Sequence, residues 1–235
     1  MQKIDTVFFD AGNTLLRPAA DEAQTFARLA AAMGAQVNLE TVSSHIPTMY
    51  LLYDRLHSND ESFWQNDRRL RAIWLEMYNH LGELTDVPAK LRMQIAERAY
   101  EHYFSAQAWQ PFDDTLPALQ ALQKRGVRMG IISNWESTLK GIISGLGLSS
   151  YFDCIISSAE VGLHKPMPEV FELALTSLDA RPEQSLHIGD TISADIHGAR
   201  AVGITPVLID RENQHAQADS LRIEDLRHLL NIIGD

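Results

Sequence analysis

An apolar run, Val7-Phe8-Phe9, ends in the carboxylate of Asp10 and is followed at once by the turn residues Ala11-Gly12-Asn13-Thr14. Such a run predicts a strand buried on both faces, with Asp10 at its carboxyl end. Beyond Leu16 the apolar positions switch to helical spacing as far as Tyr103. A first helix starts at Pro18-Ala19-Ala20-Asp21-Glu22, with proline in the first turn and acids at the positive end of the dipole. It carries Phe26, Leu29, Ala30 and Met33 and stops at Gly34. A second covers roughly Leu39 to His57, with Pro47 inside it. A third carries Phe63, Trp64, Leu70, Ile73, Trp74 and Met77, which puts both tryptophans on one helix as core residues, and ends at Gly82. A fourth runs from Pro88 through Leu91, Ile95, Ala99 and Tyr103. No strand pattern interrupts them, so the region reads as a compact helical bundle.

From Trp109 onward strands and helices alternate. Helices are expected over Thr115–Arg125, Glu136–Leu146, Pro168–Leu178, Ser193–Val202 and Ile223–Ile233, and strands over Val127–Ser133, Cys154–Ser157, Ser185–Ile188 and Thr205–Ile209. Alternation of this kind predicts βαβ units, hence an α/β, Rossmann-like, mostly parallel sheet with helices on both faces. The first strand must join that sheet to be buried, which makes the all-helical region an insertion. The expected domains are an α/β core, residues 1–16 and 107–235, and an inserted helical cap, residues 17–106. The chain would cross between them near Leu16–Pro18 and Trp109–Pro111, a pair of hinges. The polar run Arg211 to Ser220 reads as a loop, and Asp113-Asp114 as a helix start.

Composition narrows the class. Hydrophobic residues make up 45% and charged residues 22%, as in ordinary globular proteins. The formal charge is −11 with no Lys/Arg-rich run, which argues against nucleic acid and anionic membranes as partners. The one cysteine, Cys154, sits in the apolar context Phe152-Asp153-Cys154-Ile155-Ile156 and reads as a small core hydrophobe. No leader pattern and no apolar stretch of membrane-spanning length is evident, so a cytoplasmic protein is expected. The nine histidines show no paired ligand spacing, which argues against zinc.

The strand ends carry the chemistry. The first ends in Asp10, the second in Ser133-Asn134, and the fourth in Gly189-Asp190-Thr191, with Asp195 just beyond. Between the third and fourth lies Leu163-His164-Lys165-Pro166-Met167-Pro168. A parallel sheet gathers these ends over one edge. Clustered carboxylates need a cation between them, and an oxygen-lined site suits Mg²⁺. Lys165 supplies a compact charge suited to phosphate. Trp135 either lines the entrance of such a site or packs at a helix start.

In order, spacing and position, these segments resemble the motifs of the haloacid dehalogenase-like (HAD) superfamily of aspartate-nucleophile hydrolases. The first looks like Asp10 to Thr14, the second like Ser133-Asn134, the third like Lys165-Pro166, and the fourth like Gly189-Asp190 through Asp195 with Gly198 to Gly203. The helical insertion is similar to the cap of the family's C1 class. The resemblance implies Asp10 as a nucleophile that forms an aspartyl-phosphate. It implies Mg²⁺ held by Asp10, Asp190 and the backbone carbonyl of Gly12, with Asp195 either in the metal shell or supporting Lys165. Lys165 and Ser133 would stabilise the transferring phosphoryl group, Thr14 would orient the first loop, and Gly12, Asn13 and Asn134 would lie on the substrate side.

There is one departure. The family's phosphatases usually carry a second aspartate, the general acid/base, two residues after the nucleophile, where this chain has Gly12. The superfamily's dehalogenases also lack it, but they use no metal and lack the acid corresponding to Asp190. The phosphonate-cleaving branch supplies a cap lysine, whereas this chain has no lysine between Leu16 and Ala89 and Lys90 sits late in the insertion. The expectation is a Mg²⁺-dependent phosphatase of a small phosphorylated metabolite. The alternative is a phosphate-binding or regulatory protein with little turnover.

Overall fold

The structure, a computed structural model, describes residues 3–59 and 61–234. The strands are β1 (Thr6–Phe9), β2 (Leu16–Pro18), β3 (Trp109–Pro111), β4 (Arg128–Ser133), β5 (Cys154–Ser157), β6 (Ser185–Gly189), β7 (Thr205–Ile209) and β8 (Leu221–Ile223). The helices are α1 (Glu22–Ala32), α2 (Leu39–Asn59), α3 (Asp67–Leu84), α4 (Ala89–His102), α5 (Thr115–Lys124), α6 (Leu139–Gly145), α7 (Ser158–Val161), α8 (Pro168–Ser177), α9 (His197–Ala201) and α10 (Leu229–Ile233). The chain divides into two compact units, one holding the residues up to Arg17 and from Gln110 onward, the other Pro18–Trp109. The divisions at 17/18 and 109/110 lie beside the expected 16/17 and 106/107. The two crossings, β2 and β3, pair with each other as a small separate sheet.

The α/β unit is a six-stranded sheet in the order β5-β4-β1-β6-β7-β8, with every pair parallel. All four residues of β1 are buried, as its apolar run requires of a strand at the centre of the sheet. Phe8 packs with Ile132, Val170, Phe171, Ala174 and Ala199, a layer formed with α8 and α9. The direction of strand addition reverses between β1 and β6, the kind of crevice where open α/β sheets bind ligands.

Three expectations are corrected here. The closing helix over Ile223–Ile233 is instead the edge strand β8, a 3₁₀ turn at Leu226–His228 and the short α10. Ile223 is drawn into the sheet because its carbonyl accepts the Asp210 N–H at 2.8 Å. The helix over Ser193–Val202 opens with a wide π turn, Ile192–Ile196, before α9. The helix expected from Glu136 begins only at Leu139.

In the other unit α1 to α4 form a bundle in which α1 packs on α2 and α4, and α3 on α2 and α4. Phe26, Ala30, Val42, Met49, Met77, Leu81, Ile95 and Ala99 fill its core. Helix α2 continues through Pro47. Trp64 does not share a helix with Trp74. It lies in a separate 3₁₀ turn, Glu61–Gln65, because Asn66 caps α3 by accepting the Arg69 N–H. Trp74 stacks between Tyr53 and Tyr78, with centroids 5.9 and 6.2 Å away. No helix among the described residues is long and apolar enough to cross a membrane.

Candidate active site

The Asp10 N–H donates to the Ile188 carbonyl at 2.8 Å and so continues the sheet ladder one residue past β1. Its carboxylate therefore stands at the β1/β6 switch point, beside the end of β4. Asp10 Oδ1 accepts from the Ser133 hydroxyl at 3.0 Å and from Lys165 Nζ at 2.6 Å, and Oδ2 carries no hydrogen bond among the described residues. Lys165 Nζ also donates to Asp195 Oδ1 at 2.6 Å. That oxygen lies 2.8 Å from His187 Nε2, and Asp195 Oδ2 accepts the Thr191 N–H at 3.1 Å. Asp195 thus spends both oxygens inside the protein. Gly189 makes room for it: a Cβ there would lie 2.1 Å from the Asp195 carboxyl carbon.

Asn134, expected on the substrate side, is occupied elsewhere. Its Oδ1 accepts the Lys165 N–H at 2.8 Å and its Nδ2 donates to the Lys165 carbonyl at 3.0 Å. It fixes the backbone from which the ammonium projects. Asn13 adopts φ 54°, a left-handed conformation that asparagine tolerates, and its N–H is taken by the Leu16 carbonyl. Thr14 is fully buried and its hydroxyl finds no partner among the described residues. Trp135 is buried, its backbone N–H donating to Ser158 Oγ, and its ring lies 3.4 Å from where a Cβ on Gly12 would stand. The indole thus covers the glycine.

The electrostatics follow from crowding. Ligand oxygens of Asp10, Asp190 and Asp195 all lie within 4.8 Å of one another. Burial, with the carboxylates of Asp10 and Asp195 adding to it, pushes Asp190 up to about 7. Burial also raises Asp10, against the pull of the Lys165 ammonium. It acts to raise Asp195 as well, but there Lys165 and the His187 hydrogen bond win and hold the carboxyl well below the usual range. Burial works against the charge on Lys165, yet two carboxylates raise it above the ordinary lysine value. His187 is lowered by burial, against the hydrogen bond and charge of Asp195, which act to raise it. Three carboxylates thus face one ammonium. The set is all oxygen, and the Gly12 carbonyl, two residues beyond Asp10, accepts no hydrogen bond among the described residues. These donors fit a hard divalent cation such as Mg²⁺.

A family model described as haloacid dehalogenase-like hydrolase matches residues 4–203. The chain belongs to that family. This hydrolase is 30% identical over 204 residues to haloacid dehalogenase-like hydrolase domain-containing protein 3 of Mus musculus, covering 86% of this chain and 80% of the relative. It is 32% identical over 137 residues to glyceraldehyde 3-phosphate phosphatase of Methanothermobacter thermautotrophicus, covering 52% and 58%. In fold it matches the putative HAD-hydrolase YfnB of Bacillus subtilis, solved bound to magnesium, with a TM-score of 0.76 at 20% identity over the whole of both chains.

The motif residues Asp10, Ser133, Lys165, Asp190 and Asp195 come together at the strand ends, whereas Thr14 is buried and Asn134 is bonded to the Lys165 backbone. Sequence reasoning missed His187, Asp114 and Arg211. His187 sits inside an apolar strand pattern, and the other two lie in stretches that read as a helix start and a loop.

Proposed function

We propose that this hydrolase is a Mg²⁺-dependent phosphatase of a small phosphorylated metabolite, with Asp10 as nucleophile. The observation that carries the reading is the charge imbalance at the strand ends, three clustered carboxylates against the single ammonium of Lys165. The phosphatase name of the archaeal relative agrees with it. Asp10, Asp190 and the Gly12 carbonyl would hold the cation, while Asp195 positions Lys165. When bound, the cation offsets the repulsion between an anionic nucleophile and an anionic phosphate.

Asp10 Oδ2, the oxygen without a hydrogen bond, forms a bond to phosphorus as the bond to the leaving oxygen breaks and that oxygen departs with the electron pair. Ser133 and Lys165 hold Oδ1, and Lys165 also stabilises charge on the phosphoryl oxygens. Water then attacks the phosphorus, restoring the Asp10 carboxylate and releasing phosphate and a proton. Gly12 can neither protonate the leaving group nor activate that water. Acyl and aryl phosphates, whose leaving groups need no proton, are therefore the best substrates, and release of the phosphoryl group is slow.

A phosphate-ester panel with Mg²⁺, run on wild type, Asp10→Asn and Gly12→Asp, tests this. Asp10→Asn should lower turnover about 10⁴-fold or more. Wild type should show a stoichiometric burst of leaving group. Gly12→Asp should speed alkyl phosphates by up to about 10²-fold, since a general acid/base contributes on that scale. Absence of turnover of acyl and aryl phosphates, with no aspartyl-phosphate trapped by a fluoride analogue, would sink the reading. Gly12 also favours a second reading, a phosphate-binding regulatory protein, which predicts binding without turnover in both wild type and Gly12→Asp. Halide release from a haloacid in EDTA would point instead to a dehalogenase.

A further inference from the structure

The loop after β1 is held from one side by groups outside every motif. Arg211 Nε donates to the Asn13 carbonyl at 3.2 Å and one terminal nitrogen donates to the Thr14 carbonyl at 2.7 Å. The same guanidinium grips Asp114 bidentately at 2.8 and 3.1 Å and lies 3.7 Å from the centroid of the Phe112 ring. Asp114, which is buried, also accepts the Leu226 N–H at 2.8 Å. The next carbonyl, Leu15, accepts from the Phe112 N–H at 3.0 Å and the Thr115 hydroxyl at 2.8 Å. Three successive carbonyls, Asn13 to Leu15, are thereby claimed, and the Gly12 carbonyl before them is left open.

A carbonyl's direction is set by the peptide planes on either side of it, and only two dihedrals per residue are soft. Pinning Asn13 and Thr14 while Asp10 is pinned to β6 fixes the Gly12 carbonyl between two anchors. We propose that Arg211, seated on Asp114, is a positioning residue that holds the Asp10–Leu16 loop so that the Gly12 carbonyl and the Asp10 carboxylate face a divalent cation together. The inference rests on the cation reading given above. A planar fork suits this task because its rigid, divergent donors span two carbonyls and a carboxylate, whereas a lysine's donors all sit on one nitrogen.

The test is Mn²⁺ binding, followed by electron paramagnetic resonance on the purified full chain, with melting temperature measured in parallel. Arg211→Lys keeps the charge and should weaken Mn²⁺ by about 10–100-fold, the range for losing a group that orients a ligand. Arg222→Ala is the control. It removes two other ion pairs of the same unit, with Asp210 at 2.9 Å and Glu224 at 3.7 Å, neither of which touches the Asp10 loop. It should lower the melting temperature and leave Mn²⁺ affinity intact. Unchanged affinity in Arg211→Lys, or an equal loss in Arg222→Ala, overturns the positioning role alone. Failure of wild type to bind Mn²⁺ overturns the cation reading and this inference with it.

Discussion

Lys165 and Arg211 are both cations held by buried carboxylates beside the same loop, and they are arranged in opposite ways. Lys165 is a point charge shared between Asp10 and Asp195, at 2.6 Å from each, with Asp190 as a further carboxylate nearby. Arg211 meets a single carboxylate, Asp114, and spends its remaining donors on neutral carbonyls. The arginine cluster balances its charge and satisfies its fork. The lysine cluster carries surplus negative charge and leaves Asp10 Oδ2 without a hydrogen bond among the described residues. Balanced clusters hold structure in place, whereas an unbalanced one stores an electrostatic demand that a cation or an anionic substrate can answer.

The sharpest way to break this contrast is Lys165→Met. It leaves Asp10 and Asp195 buried without their cation, and removing one partner of a buried pair costs about 3–5 kcal/mol. Denaturation in urea should show that loss, and turnover should vanish with it. If Lys165→Met were as stable as wild type, the lysine cluster would not be the coupled unit described here.

Asp190→Asn works in the other direction, because it relieves the surplus. Without a cation the folded-state pKa of Asp190 is raised from an ordinary 3.8 to about 7. Between those values the folded protein binds a proton that the unfolded chain has lost, so this group's stabilisation is full below about 4 and is lost as the pH rises through about 7. The slope over that window reaches at most about 1.4 kcal/mol per pH unit. Asp190→Asn should therefore raise the melting temperature at pH 8 in EDTA. The gain should shrink toward pH 4, and Mg²⁺ should narrow it by stabilising wild type. A variant less stable than wild type at pH 8 in EDTA would contradict the crowding.

The two clusters also differ in how far the sequence exposes them. Asp10, Ser133 and Asp190 each follow an apolar run directly, so finding the strand places the side chain at the sheet's carboxyl edge. The helical unit was legible for the same reason, since Phe26, Met77 and Ile95 occur at helical spacing and are buried. Arg211 and Asp114 have no such marker. They meet only because the polar run after β7 folds back to a residue 97 positions earlier. Three residues of β8 were too few for alternation to declare a strand, and its Ile223 equally fits a helix. Asn134 shows a subtler limit. Beside a motif serine, an amide reads as a substrate contact, and only the paired bonds to the Lys165 backbone reveal its structural duty.

The smallest effect belongs to the balanced cluster. Asp114→Asn keeps one oxygen for the Arg211 fork and the Leu226 N–H, and it removes the charge and the second acceptor of the bidentate pair. A hydrogen bond to a charged group contributes about 1.5–3 kcal/mol and a neutral one about 1, so the substitution should cost roughly 1–2 kcal/mol in urea denaturation. The Asn13 and Thr14 carbonyls should keep Arg211 in place, because those bonds do not depend on Asp114 being ionised. A cost as large as that of Lys165→Met would mean that the pairing with Asp114 dominates the carbonyl contacts, and the distinction between the clusters would fail.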